Sequence, residues 1–243
     1  MYRLLPKHLP LRCKVIPVTH VAQNCSVIWC FETMRGAVID PGGDIDPVMA
    51  FIDQQGVKVE RLLITHSHPD HAGAASALSA LLAVPIEGPH RAEAAVIATM
   101  TTLAARHGFF DCQPYSPDRW LEDGNIIRVG NQQLQVLHCP GHTDGHVAYF
   151  CADSRLAFVG DILFRNAIGA TADPLHHLVL LHSIRRKLFP LGDDVVFVPG
   201  HHALSSFGDE RVFNPYVSDF AAEEYEHLFD DPRFLQAVPD PGS

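Results

Sequence analysis

The stretch THSHPDH, Thr65 to His71, places three histidines and one aspartate within six residues. It follows VERLLI, residues 59–64, whose β-branched and leucine-rich composition predicts a buried strand. It precedes AGAASALSALLA, residues 72–83, which consists mostly of good helix formers. The four ionisable side chains are therefore predicted to lie on a strand-to-helix turn, at the carboxyl end of a strand.

Three later predicted strands end in a similar way, with a histidine or aspartate beside glycine or proline. Strand 133–137 is followed by HCPGHTDGH (138–146). Strand 156–159 is followed by Gly160 and Asp161, and strand 195–198 is followed by PGHH (199–202). In α/β proteins the carboxyl ends of strands commonly form the binding site at one edge of the sheet. We therefore expect these side chains to converge on the THSHPDH turn.

Seven side chains at these strand ends can form two sets of metal ligands joined by a bridge. The first set is His66, His68 and His142. The second set is Asp70, His71 and His201. Asp161 can bridge the two sets. Imidazole and carboxylate ligands suit Zn, Fe or Mn, and two ions about 3.5–4 Å apart need a bridging ligand. The sequence predicts two divalent metal ions, with zinc as the expected metal and iron or manganese as alternatives.

The rest of the chain alternates short strand patterns with helical patterns, which predicts a single α/β domain. The other predicted strands are 14–20, 26–31, 37–39 and 147–150, and the predicted helices are 46–55, 72–82, 89–107, 175–188 and 218–227, with a loop over 108–125. We expect an N-terminal extension over residues 1–13, the domain over 14–228, and a C-terminal tail over 229–243 that is loosely ordered from Asp231.

The 243-residue chain carries 18 Lys and Arg against 28 Asp and Glu, a formal net charge of −10. This balance argues against a nucleic-acid partner and gives no attraction to anionic membranes. No apolar run reaches the roughly 18 residues needed to span a bilayer, and the first residues lack the pattern of a secretory signal. The six cysteines have no CxxC spacing and are expected to be reduced thiols. We therefore expect a cytoplasmic protein.

The motifs THSHPDH, PGHTDGH, GDILFR and PGHH, in this order, resemble those of the metallo-β-lactamase superfamily. The stretches IDPGGD, LHCPGHTDGHV and LFPLGDDVVFVPGHH are further similar to the short type II glyoxalases, the hydroxyacylglutathione hydrolase-like YcbL-type branch. The resemblance spans about residues 14 to 217. It implies a four-layer αββα sandwich with two metals at one edge of the sheets, and hydrolysis of S-lactoylglutathione to lactate and glutathione.

The resemblance also implies roles for single residues. The two ligand sets and the bridging Asp161 match the family's ligands position by position, and a hydroxide that bridges the two metals would attack the thioester carbonyl. Asp70 would orient this hydroxide in addition to binding a metal. His146 matches a position that is not a ligand. Three further residues flank ligands and are either functional or simply packed: His138, Cys139 and His202.

Two parts of the chain depart from the family pattern. It reads GATA over Gly169 to Ala172, where relatives have GRTD or GRSD, so the basic residue expected at Ala170 and the aspartate expected at Ala172 are absent. It also reads PGHH where relatives read PGHG, which makes His202 a candidate substrate contact. The ligands are intact, but contacts to glutathione are weakened unless another cation, such as Arg165, replaces the missing one.

The leading interpretation is a binuclear metal-dependent thioester hydrolase that acts on a small-molecule substrate. Alternatives of the same fold are a persulfide dioxygenase with one iron, and a lactonase or β-lactamase. A non-catalytic metal-binding protein is an alternative of another class, suggested only by the GATA loop. Metal content, oxygen uptake and thioester hydrolysis would separate these functions. The sequence leaves the oligomeric state open.

Overall fold

The computed structural model describes residues 9–109 and 111–237. The strands of these residues are β1 (Leu11–Val18), β2 (Gln23–Cys30), β3 (Arg35–Ile39), β4 (Lys58–Leu63), β5 (Ile86–Glu87), β6 (Ile126–Val129), β7 (Gln132–His138), β8 (Val147–Cys151), β9 (Leu156–Gly160), β10 (Leu163–Phe164), β11 (Ala167–Ile168), β12 (Val196–Pro199) and β13 (Ser205–Ser206). The helices are α1 (Ile45–Gln55), α2 (Pro69–Ala72), α3 (Ala75–Leu82), α4 (Ala94–Arg106), α5 (Pro174–Ser183), α6 (Phe207–Phe213), α7 (Asp219–Ala222) and α8 (Pro232–Ala237). Short 3₁₀ turns lie at Arg91–Glu93, Phe189–Leu191 and Glu226–Asp230, and a π-helical turn follows α5 at Ile184–Leu188.

The strands form two sheets and a small hairpin. The first sheet has the order β1-β2-β3-β4-β5, in which β3, β4 and β5 are parallel and the other pairs are antiparallel. The second sheet has the order β13-β12-β9-β8-β7-β6, in which β9 and β12 are parallel neighbours and the other pairs are antiparallel. Strands β10 and β11 pair as a separate hairpin shortly after β9.

Three hydrophobic clusters show that the two sheets stack between two layers of helices. The middle cluster joins side chains of both sheets, for example Leu63 of β4 and Tyr149 of β8. A second cluster packs the outer face of the first sheet against α1, α3 and α4, and a third packs the second sheet against α5 and α6. Leu62 and Leu63 belong to different clusters because successive side chains of a strand point to opposite faces. The predicted single-domain αββα sandwich is confirmed.

Hydrogen bonds between the loops fix the edge of the sandwich at which the predicted ligands lie. Val147 N donates to the carbonyl of Thr65 at 2.9 Å, which joins the start of β8 to the end of β4. Asn24 N donates to the carbonyl of Gly200 at 2.7 Å, which joins β2 to the loop after β12. Thr65 and Gly200 each directly precede a predicted ligand, so these bonds set the positions of two ligand loops.

The loop before His142 is held against α5 by a close backbone approach. Gly141 has φ +131°, and a Cβ there would lie 2.5 Å from Leu180 Cα. Only glycine fits this position, because a side chain would be both strained and in collision with the helix. Ser183 at the end of α5 donates its hydroxyl to the carbonyl of Pro140 at 2.8 Å. Packing against α5 therefore determines where the His142 loop lies.

The start of the domain differs from the prediction. Strand β1 begins at Leu11, so residues 11–13, expected in an N-terminal extension, pair with β2 in the first sheet. Leu11 is fully buried in the middle hydrophobic cluster, which explains why the strand starts earlier than its β-branched residues suggested. Residues 1–8 lie outside the described residues.

The predicted tail also needs correction. Phe229 and Phe234 are buried in the cluster between α5 and the second sheet, and both rings contact His182. The local sequence is typical of a loose tail, but burial of two aromatic side chains stabilises the ordered structure. Residues 229–237 are therefore part of the domain. The predicted helix over 218–227 is divided into α7 and a 3₁₀ turn. Residues 238–243 lie outside the described residues.

The remaining predicted strands and helices are present, with ends that differ by a few residues. The prediction missed β5, β6, β10, β11 and β13, each of which has two to four residues. Such strands are too short to show an alternating pattern. Among the helices that the structure describes, none has the length and apolar composition required to cross a bilayer.

Candidate metal centre

The seven predicted ligands lie together at the edge of the sandwich where β4, β7, β9 and β12 end. His66 and His68 follow β4, whereas Asp70 and His71 belong to the four-residue helix α2. The other three follow later strands: His142 after β7, Asp161 after β9 and His201 after β12. The structure therefore brings together every residue that the sequence singled out as a ligand.

The parallel pair β9 and β12 shows how distant residues become neighbours. Gly200 N donates to the carbonyl of Gly160 at 2.7 Å, so both strands end at the same level of the sheet. Asp161 and His201 follow these glycines directly and therefore lie side by side. A Cβ at Gly200 would lie 2.1 Å from Asp161 Oδ1 and 2.4 Å from His71 Cε1, so this close approach requires glycine.

The first ligand set is a compact group of three nitrogens. His68 Nδ1 lies 3.0 Å from His66 Nε2 and 3.1 Å from His142 Nε2. Nitrogens bound to one tetrahedral zinc ion, at about 2.0–2.1 Å each, are separated by about 3.3 Å. These three donor atoms are therefore spaced as ligands of a single ion would be, with little adjustment.

The second set lies beside the first, and Asp161 contacts both. His201 Nε2 is 3.0 Å and His71 Nε2 is 3.7 Å from Asp70 Oδ2. Asp161 Oδ1 is 3.2 Å from His71 Nε2, and its Oδ2 is 3.8 Å from His142 Nε2 and 3.7 Å from His201 Nε2. The carboxylate of Asp161 thus has the position that a ligand shared between two ions requires.

Two buried atoms at the centre of the cluster show that metal ions fit these residues. His71 Nε2 and Asp161 Oδ1 lie 3.2 Å apart, but neither atom is aligned for a hydrogen bond with the other or with any other described residue. A buried polar atom left unsatisfied costs about 1–3 kcal/mol. A cation between them would satisfy both, and imidazole with carboxylate is a donor set suited to zinc, iron or manganese.

The electrostatics of the cluster differ between its histidines. Burial acts to lower the pKa of His71 and His201, but the carboxylates of Asp70 and Asp161 raise it above the usual value, so a metal must displace a proton from these two rings. His66, His68 and the bridging candidate are already in the forms that bind a metal. Burial and neighbouring imidazoles lower the pKa of His66 well below its usual value and that of His68 to about 4. Both rings are therefore neutral near pH 7, the form that binds a metal. Burial acts to raise the pKa of Asp161, but His71 and the other nearby imidazoles hold it below its usual range. The bridging candidate is thus an ionised carboxylate.

Asp40 is a buried carboxylate that the sequence analysis missed. Its Oδ2 accepts hydrogen bonds from His71 Nδ1 at 2.9 Å and from Thr65 Oγ1 at 2.7 Å, and its Oδ1 accepts from Thr65 N at 2.7 Å. The bond to Nδ1 orients the His71 ring so that Nε2 faces Asp161 and Asp70, as outer carboxylates commonly do for metal-bound histidines. Asp40 therefore positions a ligand without touching the centre itself.

Glu93 is a second missed carboxylate, fully buried at the start of α4. Its Oε2 accepts from Ser67 N at 2.8 Å, and its Oε1 accepts from Gly145 N at 3.0 Å. Ser67 lies between His66 and His68, and Gly145 lies in the loop that carries His142. One side chain thereby connects the two loops that supply the first ligand set.

His146 is fully buried against the first ligand set. Its ring stacks on His66 with centroids 4.5 Å apart and planes inclined by 18°. Nε2 accepts a hydrogen bond from Asp161 N, and Nδ1 donates to the carbonyl of Val147, each at 3.1 Å. Both ring nitrogens are already hydrogen-bonded, so His146 supports the position of Asp161 and has no free nitrogen for a metal.

Two residues that flank ligands have packing roles. His138 stacks on His90 at 4.1 Å and donates from Nε2 to the carbonyl of Asp144 at 2.8 Å. Cys139 is fully buried in a hydrophobic cluster, and burial raises the pKa of its thiol to about 12. Neither side chain has a contact with the seven candidate ligands among the contacts described.

The three predicted substrate contacts lie on the rim of the centre. Ala170 is exposed, and its carbonyl accepts a hydrogen bond from His142 Nδ1 at 2.7 Å. Arg165 is exposed at the turn of the β10–β11 hairpin, next to Phe164, whose ring centroid is 6.2 Å from that of His201. His202 is also exposed and has φ +66°. The GATA loop therefore supports a candidate ligand through its backbone, even though Ala170 and Ala172 have no polar side chains.

Comparison with known proteins gives consistent results. A sequence profile described as the Metallo-beta-lactamase superfamily matches residues 18–201. Hydroxyacylglutathione hydrolase GloC of Haemophilus influenzae is 36% identical over 210 residues, 86% of this chain and 99% of that protein. The structure of BLEG-1 B3 metallo-beta-lactamase matches with a TM-score of 0.77 at 28% identity, covering 85% of this chain and 99% of the other. TTHA1623 in a di-iron-bound form matches with a TM-score of 0.75 at 30% identity, covering 84% and 99%.

The profile match includes all seven candidate ligands, from His66 to His201. The similar structures share the stacked-sheet architecture over nearly their whole length. Fold, sequence and the arrangement of histidines and aspartates agree, and the chain belongs to the metallo-beta-lactamase superfamily.

Proposed function

We propose that this protein is a binuclear metallohydrolase of the glyoxalase II type that cleaves thioesters, with S-lactoylglutathione as the first candidate substrate. The observation that carries the proposal is the position of Asp161, which lies within 3.2–3.8 Å of histidines from both ligand sets. The similarity to a hydroxyacylglutathione hydrolase over 86% of the chain supports the choice of a thioester.

The residues that would hold the metals are the two ligand sets together with Asp161. We propose zinc as the metal, with iron as the first alternative because one similar structure is a di-iron-bound form. Bound divalent ions would lower the pKa of water to about 7 and polarise the carbonyl of the substrate. The protein's own contribution is the placement of the donor atoms and of the proton acceptor beside them.

Asp70 is the side chain proposed to orient the attacking water. Burial alone would raise its pKa, but His71 and His201 hold the pKa below its usual value, so the carboxylate is ionised at neutral pH. The side chain lines a cavity that opens from the centre. An ionised Asp70 can accept a hydrogen bond from the water and hold its proton on a carboxylate oxygen. A thiolate is a good leaving group, so the reaction needs no strong general acid.

We further propose a small-molecule substrate and a cytoplasmic location, without a nucleic-acid or membrane partner. The net charge of −10 supports the absence of a nucleic acid or an anionic membrane as a partner, because these large anionic surfaces are repelled by it. All six cysteines are free thiols in the structure, and unpaired cysteines are usual in a reducing compartment.

The test is hydrolysis of S-lactoylglutathione by protein loaded with zinc or with iron, together with elemental analysis. We expect close to two ions per chain and release of glutathione. Asp70→Asn, which is nearly isosteric, should reduce kcat by orders of magnitude while the metal content is measured in parallel. Oxygen uptake with a persulfide substrate and a single iron per chain would instead indicate a dioxygenase. Near-wild-type turnover of fully loaded Asp70→Asn would exclude Asp70 from the mechanism.

A further inference from the structure

A cavity of about 310 Å³ opens directly beside the candidate metal centre. Three candidate ligands form its floor: His68, Asp70 and His201. The walls come from the turn between β1 and β2, from α2, and from α4 with the residues after it: Val21, Pro69, Leu103, His107 and Phe109. A substrate whose carbonyl lies at the centre would therefore have one of its substituents in this cavity.

The walls of the cavity are mainly apolar. Val21 is 42% exposed although it is a large aliphatic residue, and Leu103 on α4 is half-buried. Phe109 is held in place by the ring of His20, with centroids 4.6 Å apart. Apolar surface that stays accessible beside polar catalytic groups is typical of a small-molecule binding site.

The described walls of the cavity away from the metal centre carry no permanently charged cation. Among the described residues, no lysine or arginine lines it. Phe109 also borders a second cavity of about 520 Å³, whose lining includes three carboxylates, Asp44, Asp46 and Asp111, and again no lysine or arginine among the described residues. Among the described residues, the linings of these two cavities therefore offer the carboxylates of glutathione no lysine or arginine partner.

We propose that the 310 Å³ cavity binds the acyl group of the thioester and that the enzyme prefers apolar acyl groups to lactoyl. This inference rests on the proposed thioester hydrolysis, and it assigns the apolar cavity to the acyl side because the thiol side of a glutathione thioester is charged. Burial of one methylene contributes a factor of about four. The value of kcat/KM should therefore rise about fourfold per methylene until the cavity is full.

The first experiment compares glutathione thioesters of lactate, acetate, butanoate and hexanoate with the metal-loaded protein. The second measures by calorimetry the Kd of acetate, butanoate and hexanoate, which share a head group and differ only in the chain. Both series should show the same dependence on chain length. Calorimetry does not depend on turnover, so it tests the cavity separately from the reaction.

Substitutions in the walls test whether this cavity is responsible. Leu103→Gln should remove the dependence of kcat/KM and of Kd on chain length. Val21→Asn should weaken both dependences, and it lies in an exposed turn where folding is little affected. Leu81→Gln is the matched control, because Leu81 is 60% exposed on α3 and does not line the cavity. It should leave both slopes unchanged.

The outcomes are distinguishable. Hydrolysis of all thioesters without dependence on acyl length would overturn the acyl-cavity inference and leave the proposed function standing. No hydrolysis of any thioester would overturn the proposed function, and the carboxylate series alone would then decide the cavity. If kcat/KM and Kd still depend on acyl length in both Leu103→Gln and Val21→Asn, the acyl group binds outside this cavity. That result would also overturn the inference.

Discussion

The candidate ligands and the substrate-facing residues lie on the same edge of the sandwich, but the protein holds them in different ways. Asp40, Glu93 and His146 are buried, and each hydrogen-bonds a ligand or the backbone of a ligand loop. Arg165 and His202 on the rim are exposed side chains. The side chains of the ligand cluster are therefore held by buried groups. On the rim, buried residues such as Asn24 and Asn214 hold the backbone, but the side chains themselves lie in solvent.

This difference corresponds to what each region must do. Donor atoms need to be held within about 0.5 Å of a productive geometry, and buried hydrogen bonds supply that restraint. Surface loops can change without damage to the core, and they are where differences in substrate choice commonly arise. We therefore expect the centre to be common to the superfamily and the rim to differ between its members.

The largest expected effect is that of Asp161→Ala, which removes the contact shared by both ligand sets. We expect the metal affinity of both positions to fall by more than about 100-fold. A fall of about 100-fold is the upper end of what is seen when a residue that only orients a ligand is changed. Elemental analysis after dialysis provides the measurement. His201→Ala is the matched variant, because it should empty mainly the second position. Wild-type metal content in Asp161→Ala would contradict the bridging assignment.

The next largest effect is expected for Asp40→Asn. An amide cannot keep all three hydrogen bonds of the carboxylate, because its NH2 group must face either Thr65 N or the side that accepts from His71 Nδ1 and Thr65 Oγ1. The His71 ring would then be less well oriented, and the affinity of the second metal position should fall about 10- to 100-fold. Competition with a chelator measures this affinity. Asp53→Asn on the exposed side of α1 should change nothing, and an equal affinity in both variants would argue against the positioning role.

Glu93→Gln should act on stability. Ser67 N and Gly145 N both donate to Glu93, and glutamine has only one acceptor oxygen, so one buried N–H loses its partner. The free energy of unfolding should fall by about 1–3 kcal/mol, measured by urea denaturation. Glu224→Gln at an exposed position is the control. If the two variants are equally stable, the connection between the two ligand loops does not contribute to stability.

The sequence was sufficient to single out the seven candidate ligands that the structure brings together, because each follows a strand whose pattern is visible locally. Asp40 could have been found in the same way. It directly follows β3, and the parallel register that pairs Ile39 with Leu63 brings Asp40 beside Thr65. What was missing was the recognition that β3 and β4 are neighbours in one sheet.

Glu93 and the C-terminal segment could not be found by such local reasoning. Glu93 lies in an ordinary helical sequence, and its partner Gly145 is 52 residues away along the chain. Phe229 and Phe234 are separated by a polar, proline-containing stretch that is typical of a tail, and only packing against α5 makes them part of the core. In both cases tertiary contacts, rather than local propensity, determine the structure.

The smallest expected effect concerns Ala170, where the family pattern has a basic residue. Ala170→Arg should lower KM for S-lactoylglutathione, because a charge-assisted hydrogen bond contributes about 1.5–3 kcal/mol when well formed. Ala170 is exposed, so solvent screening should limit the gain to about tenfold. The backbone carbonyl that accepts from His142 is unchanged by the substitution, so kcat should stay close to the wild-type value.

A neutral thioester is the control substrate, and Arg165→Ala is the control variant. A gain from Ala170→Arg that is confined to the glutathione thioester would show that the rim sets the preference for the thiol while the ligand cluster is untouched. If Arg165 already supplies the missing cation, wild-type KM for S-lactoylglutathione should be low, Arg165→Ala should raise it, and Ala170→Arg should bring little gain. A low KM that neither substitution changes would show that glutathione is bound by other residues. Ala170 and Arg165 would then not determine the choice of substrate, and the contrast between a fixed centre and a variable rim would not apply to them.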